Sequence, residues 1–488
     1  MNKILFVTSE AYPFIKTGGL GDVAGSLPRA LQKCKQDIRL LLPGYRSVMA
    51  QIKNPQVIAE AFHYGHKIRI IETPLPSSRV KTWLVDCPAA FDRPGNPYVD
   101  TTGNNWSDNA FRFALFCLVA VDIALNRCNL GWQPDVVHCN DWQTALIPAL
   151  LNGYSERPAS VFTIHNMAYQ GLFPKQQFFE LGLPSSLWHP DGVEFYDQFS
   201  FIKGGLAYAD YINTVSPTYA REIQLPEFGY GLDGLLRHRS DRLSGILNGI
   251  DNDTWNPGSD LHISYRYNKQ TIKNKSLNKT ELQTALKLPI DANLPMIGMI
   301  SRMVEQKGFD TLIGALPELV KWPVQLVILG NGQSYYEKTL TEWAQHYPHK
   351  ISVRIGYDET LSHRIEAAAD LFLMPSLFEP CGLNQLYSLR YGALPVVRDV
   401  GGLADSIVDT NETSMANHTA TGFFITDNQP ATLVNALQTA LQLYQNPEVW
   451  RQLQVNAMSQ DFSWLKSAEE YVKLYQLARE SIAGGDET

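Results

Sequence analysis

The sequence predicts an α/β protein with two parallel sheets, each in its own unit. Three observations point there: the chain is too long for one core, short apolar strands alternate with helix-period segments, and a turn-rich stretch divides two such series. The chain has 488 residues, and at roughly 150 residues per domain that is two or three domains' worth, beyond what a single hydrophobic core serves. Hydrophobic residues make up 44% and charged residues 18%, which excludes a disordered tail or a coiled coil.

The first series of strands is read at Ile4 to Thr8, Ile38 to Leu42, Val80 to Val85, Asp135 to His138, Ser160 to Ile164 and Tyr211 to Val215. Each is a short β-branched or apolar run that gives way to turn residues and then to a helical pattern, the signature of βα units. The second series is read at Met296 to Ile300, Gln325 to Leu329, Ile351 to Ile355, Leu371 to Met374 and Pro395 to Val397. Between them, Asn248-Gly-Ile-Asp251-Asn-Asp253-Thr-Trp-Asn-Pro257 is rich in turn formers and makes the best hinge, with the boundary near 245. The Lys-bearing stretch Arg266 to Lys279 reads as a solvated, helix-forming face.

Forty-one Lys and Arg against 49 Asp and Glu leave a charge of −8. Non-specific nucleic-acid binding is not expected of such a balance, and an anionic ligand must be met by local cations. Six cysteines, at 34, 87, 117, 128, 139 and 381, show no Cys-x-x-Cys pair, so a reducing compartment and no disulfides are expected. The N-terminal apolar run before Glu10 is too short for a signal-peptide core. Phe113 to Val121 falls far below the roughly 18 residues of a membrane span. A cytoplasmic protein with no membrane partner is the expectation.

Two glycine loops echo each other: Gly18-Gly19-Leu20-Gly21-Asp22 follows the first strand, and Gly401-Gly402-Leu403-Ala404-Asp405 follows the last clear one. At such turns paired glycines let backbone N–H groups approach a ligand at a helix N-terminus, although tight βα turns alone would also explain them. Gly19-Leu-Gly21-Asp-Val-Ala24 fits a dinucleotide fingerprint, but the second strand ends in Pro43-Gly44 with no carboxylate for a ribose, which counts against a dehydrogenase. Lys16 adds a point charge suited to phosphate.

Ser301-Arg302-Met-Val-Glu-Gln-Lys307-Gly308 places two cations five positions apart after a strand. Arg can clamp diphosphate oxygens while Lys neutralises the charge that builds on a departing nucleotide diphosphate. Glu379, in Phe378-Glu379-Pro-Cys381-Gly382-Leu383, is read at a strand's carboxyl end, where open α/β sheets bind ligands. It either contacts a sugar or complements the following helix. His138, Asp141, His165 and Asn166 are read at strand ends of the front half, and either His could be a satisfied core residue. Asp251-Asn-Asp253 is explained by turn chemistry, and no P-loop, zincin or nucleophile-elbow motif occurs, so no metal is inferred.

Taken in order, these motifs, with Arg93-Pro-Gly-Asn-Pro-Tyr98 and Asn248-Gly-Ile-Asp251, resemble those of bacterial glycogen synthases and plant starch synthases over nearly the whole chain. The resemblance implies a GT-B fold, two Rossmann-like domains with parallel sheets facing across a deep cleft. Residues 1–244 would form the acceptor side, joined by a returning helix within 464–488, and residues 245–463 the donor side. It implies retaining transfer of glucose from ADP-glucose to the non-reducing end of an α-1,4-glucan such as glycogen or a maltooligosaccharide, with no cofactor and no metal. Arg302 and Lys307 would grip the diphosphate, aided by Lys16, Gly18, Gly19, Asp22, Cys381, Gly382 and Leu383, with Tyr357 stacked on adenine. Glu379 would contact the transferred glucose and His165 the anomeric region, while Tyr98, Asp141 and Asn166 line the acceptor side. UDP-glucose as donor and a phosphorylase-like reaction are the alternatives, and an oligomer is left open. Gly21, Asn140 and Asn384 depart from residues frequent at those positions in the family.

Overall fold

The structure, a computed structural model, describes residues 1–483. It divides into two compact units: Met1–Gly249 with the helix Trp464–Ala483, and Ile250–Ser463. Residues 484–488 of the expected returning segment lie outside the described residues.

The first unit is built on a nine-stranded sheet in the order Leu243–Gly245, Tyr211–Thr214, Ala159–Ile164, Val136–Asn140, Lys3–Val7, Asp37–Pro43, Lys81–Asp86, His66–Pro74, Gln56–His63. All neighbours are parallel down to Lys81–Asp86; the last two strands add an antiparallel hairpin. Its central strands, among them Lys3–Val7, Val136–Asn140 and Ala159–Ile164, are short runs buried on both faces, as helices packed on each side of a parallel sheet require. The boundary falls after Gly249 and not at 244, because Leu243–Gly245 pairs with Tyr211–Thr214 and Ile246 N–H donates to Thr214 O at 2.9 Å, keeping this segment in the sheet.

The strands read from the sequence in both halves are present, with ends displaced by no more than two residues. The hairpin Gln56–His63/His66–Pro74 was not anticipated. It turns on Tyr64 and Gly65, at φ 52° and 77°, the positive pair that a two-residue hairpin needs, and its outer strand is largely exposed. A small three-stranded sheet, Leu172–Pro174, Gln198–Ser200 and Glu194–Phe195, is a further addition.

Helix Trp464–Ala483 buries Trp464, Ser467, Ala468, Tyr471, Leu474, Tyr475 and Ala478 along one face, the helical three-and-four spacing. It packs against helix Gly19–Lys33 and the strand Ala159–Ile164. Polar bonds fix its register: Ser467 Oγ donates to Leu247 O at 2.6 Å, Asn213 Nδ2 meets Tyr471 Oη at 3.2 Å, and His138 Nδ1 meets Tyr475 Oη at 2.8 Å. Thr163 Oγ1 donates to Asn213 Oδ1, so it accepts from His138 Nε2–H at 2.6 Å, leaving His138 Nδ1 to accept from Tyr475. His138 is thus a satisfied core residue, and burial pushes its pKa down to about 3.

The second unit is a six-stranded parallel sheet in the order Ile351–Ile355, Gln325–Gly330, Met296–Ile300, Leu371–Met374, Leu394–Arg398, Phe423–Ile425. One expectation fails here. Lys275 and Lys279, read as part of a solvated face, are 3% and 2% exposed in helix Lys275–Leu286. Lys279 Nζ uses all three donors, on Asp370 Oδ2 at 2.7 Å, Tyr444 Oη at 3.0 Å and Leu294 O at 3.1 Å. Lys275 Nζ donates to Glu366 O at 2.7 Å and Ala367 O at 3.1 Å, carbonyls at the negative end of helix Glu359–Ala368. Lys279 is buried with a carboxylate and Lys275 against the carbonyls of a helix end, partners which charge counting along a sequence does not reveal.

Asp370 also accepts Met296 N–H at 2.8 Å, so removing its cation strands a buried carboxylate at the start of the first strand. Lys279→Met should destabilise the protein by about 3–5 kcal/mol, read from denaturant midpoints at unchanged slope. A loss below about 1 kcal/mol would mean that the pair is not what holds this corner.

Candidate active site

In an open parallel sheet, ligands bind beyond the carboxyl ends of strands where strand order reverses. The first sheet reverses between Lys3–Val7 and Val136–Asn140, the second between Met296–Ile300 and Leu371–Met374. The loops leaving these four strands carry most of the candidate residues.

In the second unit the loops 301–308 and 375–384 are stitched together. Leu377 N–H donates to Gln306 O at 2.8 Å, Gln306 Nε2 to Phe378 O at 3.2 Å, and Asn384 Nδ2 to Ile300 O at 2.6 Å. Gly308 makes this possible: at φ 72° it tolerates a turn in which a Cβ would come within 1.9 Å of Pro375 O. Across the seam Lys307 Nζ meets Glu379 Oε2 at 2.5 Å, and Ser376 Oγ donates to the same oxygen at 3.0 Å. Glu379 is 6% exposed and makes no capping hydrogen bond to the helix Asn384–Tyr391 that follows it.

Cys381 and Gly382 form a turn, Gly382 at φ 73°, held by Gln385 Nε2, which donates to their carbonyls at 2.9 and 3.1 Å. Leu383 closes this loop. Gly402 N–H donates to Glu379 O at 3.0 Å, tying the second glycine loop to the same place. Arg302 is not drawn into the cluster: its side chain is exposed, with no hydrogen bond or ion pair among the described residues. Tyr357 also stands apart, 73% exposed, its hydroxyl on Glu359.

In the first unit the organising residue is one the sequence reading passed over. Glu10, 3% exposed, accepts Thr17 N–H and Thr17 Oγ1–H at 2.5 Å each, Gly18 N–H at 3.2 Å and Tyr98 Oη–H at 2.5 Å. A single carboxylate therefore holds both the glycine loop and Tyr98, whose hydroxyl pKa is raised by burial and by Glu10. Lys16 pairs with Asp22 at 2.8 Å, in the first turn of helix Gly19–Lys33. A Cβ at Gly18 or Gly19 would meet nothing within 4 Å, so their backbones are open on that side. The signal available in the sequence was a carboxylate seven residues before Thr17, directly after the first strand.

Asp141, His165 and Asn166 form a second cluster. Asp141 stands at φ 61°, ψ 179°, a strained backbone for a residue with a Cβ, costing about 1–3 kcal/mol. Its carboxylate accepts His165 N–H at 3.1 Å and is also bonded by the Asn166 backbone. Burial nevertheless raises its pKa to about 7, with Glu10 adding to the rise. His165 Nε2 lies 3.0 Å from Asn140 Oδ1, and burial lowers its pKa to about 3, leaving a neutral ring at pH 7. Asn166 Oδ1 accepts Ala168 N–H at 3.0 Å. Asp251 of the Asp-x-Asp motif accepts Asp253 N–H at 2.9 Å, a turn bond.

Comparison with known proteins places these halves in one context. Residues 3–238 match the starch synthase catalytic domain and residues 283–454 the glycosyl transferases group 1 family. The chain is 54% identical to the glycogen synthase of Cellvibrio japonicus over 97% of this chain and 99% of that protein. It is 53% identical to glycogen synthase 1 of Methylococcus capsulatus over 99% and 97%. Among solved structures, the catalytic domain of starch synthase IV from Arabidopsis thaliana, bound to ADP and acarbose, aligns with a TM-score of 0.88 at 31% identity over 98% of this chain and 99% of that one. The chain is a GT-B glycosyltransferase and belongs to the bacterial glycogen synthase and starch synthase family.

Proposed function

We propose that this protein transfers glucose from ADP-glucose to the non-reducing end of an α-1,4-glucan with retention of configuration, in the cytoplasm. The second unit takes the donor and the first the acceptor. The observation that carries this reading is the buried Lys307–Glu379 pair at the reversal point of the second sheet, in a chain of this family. A lysine fixed by a carboxylate is a preorganised cation that needs no rearrangement when negative charge develops beside it. Arg302, uncommitted among the described residues, supplies a planar fork for diphosphate oxygens. Gly18 N–H is held by Glu10 at 3.2 Å, so of the glycine pair it is Gly19, at the start of a 15-residue helix, whose backbone N–H suits an anion. Starch synthase IV, 31% identical, was solved with ADP, and Tyr357 is exposed enough to stack on a purine.

In the reaction the bond from the glucosyl C1 to the β-phosphate oxygen breaks, and its electrons leave with ADP. The acceptor hydroxyl oxygen bonds to C1 on the same face, and its proton passes to the departing phosphate oxygen. Lys307 and Arg302 offset the departing charge. Glu379 already carries Lys307 and Ser376 on one oxygen, which suits it to holding the cation and a sugar hydroxyl and blunts it as a nucleophile. Asp141, His165, Asn166 and Tyr98 form the acceptor and glucosyl side.

Incubation with labelled ADP-glucose or UDP-glucose and a maltooligosaccharide tests the reaction: extension from ADP-glucose is expected, and extension with neither donor sinks the proposal. Release of glucose 1-phosphate from glucan and phosphate would favour the phosphorylase alternative. A covalent glucosyl adduct on Glu379 would refute the same-face displacement. Lys307→Ala should lower kcat by about 10²-fold or more, and near-normal turnover would remove Lys307 from its role.

Asp141 should leave a mark on stability against pH. Its folded pKa of about 7 lies above the unfolded value of about 4, so between these limits the native state binds more protons and stability falls as pH rises. Asp141→Asn removes the cost. Its melting temperature should gain on wild type from pH 5 to about pH 7 and hold a constant lead above, while turnover falls. A lead independent of pH would show that the carboxyl is not held back from ionising.

A further inference from the structure

The side chain that decides how His165 presents itself is Asn140. Asn140 ends the strand Val136–Asn140 beside Thr163 of the neighbouring strand, and it is fully buried. Its Nδ2 faces two backbone carbonyls, Val7 O at 3.1 Å and His138 O at 3.4 Å, and its Oδ1 faces His165 Nε2 at 3.0 Å. Carbonyl oxygens only accept, so the amide nitrogen must be the atom turned toward them; the reverse orientation would set three acceptor oxygens against one another. An amide oxygen also only accepts, so the ring nitrogen opposite must bear hydrogen.

From this geometry we propose that Asn140 is a positioning residue that locks His165 as the Nε2–H tautomer and leaves Nδ1 as a bare acceptor, selecting a hydroxyl of the glucosyl or acceptor sugar over any phosphate oxygen. The neutral ring carries one proton, and Asn140 assigns it. Nδ1 has no hydrogen-bond partner among the described residues and is not sealed from solvent. The main chain cannot swing away from this arrangement, because His165 N–H is held by Asp141 Oδ1 at 3.1 Å. A lone pair accepts from a sugar hydroxyl and repels a phosphate oxygen, so the tautomer sorts the sugar from the nucleotide. The sugar-binding part of this inference rests on the proposed glucosyl transfer; the tautomer itself does not.

The test uses the full-length protein labelled with ¹⁵N-histidine, its His165 ring signals assigned by their loss in His165→Gln. Wild type should show a protonated Nε2 and an unprotonated Nδ1 at pH 7. Asn140→Leu, of similar size and without an acceptor, should mix the tautomers and lower kcat about tenfold, the scale of one neutral hydrogen bond, with the donor KM within about threefold. Asn140→Asp keeps an acceptor toward Nε2, with its buried carboxyl protonated toward Val7 O and His138 O in place of the amide N–H, and should keep hydrogen on Nε2. A wild-type ring protonated on Nδ1, or ring signals unchanged in Asn140→Leu, overturns the proposal. Should Asn140→Leu fail to fold, the wild-type and Asn140→Asp signals decide. An Nε2–H ring in a protein that extends no glucan would refute the transfer reaction and leave the tautomer assignment standing.

Discussion

A parallel sheet whose strand order reverses sends the chain to opposite faces on either side of the reversal, and the strand ends there are left uncovered. The chemistry in this chain is arranged around that constraint, met once in each unit. In the second unit the uncovered ends belong to Met296–Ile300 and Leu371–Met374; in the first they belong to Lys3–Val7 and Val136–Asn140.

Charge at these openings is handled by pairing rather than by exposure. Glu379 and Lys307 are both largely buried, yet each satisfies the other, and Ser376 completes the carboxylate. Glu10 does similar work with neutral partners, collecting donors from Thr17, Gly18 and Tyr98. Such groups are costly to bury alone and stable only as sets, so each set fixes the loops that supply it. Asp141 marks the limit of the strategy: it holds His165 and Asn166 through their backbones, in a strained conformation and with its ionisation opposed by burial.

Much of this was legible along the chain. Glycine pairs after strands, two cations five residues apart and Glu379 after an apolar run are local patterns, and local patterns survive in one dimension. The strands buried on both faces were readable because burial on both faces demands unbroken apolar runs. The hairpin Gln56–His63/His66–Pro74 was not, since an exposed edge relaxes that demand. The bonds of Glu10 and Asn140 escaped for a different reason: each side chain meets partners far off in sequence, Tyr98 in one case and His165 in the other. Lys275 and Lys279 misled in the same way, looking solvated because Glu366, Asp370 and Tyr444 are remote along the chain.

By itself, then, the amino-acid order determined the α/β class, the two strand series and the polar and glycine-rich loops that follow the strands, because backbone periodicity and turn chemistry act over a few residues. Only the tertiary structure decided which carboxylate holds which cation, that His138 is core, and which side chain faces the His165 ring. Those outcomes depend on electrostatics and hydrogen bonds in a low-dielectric interior, between groups that only folding brings within 3 Å of one another.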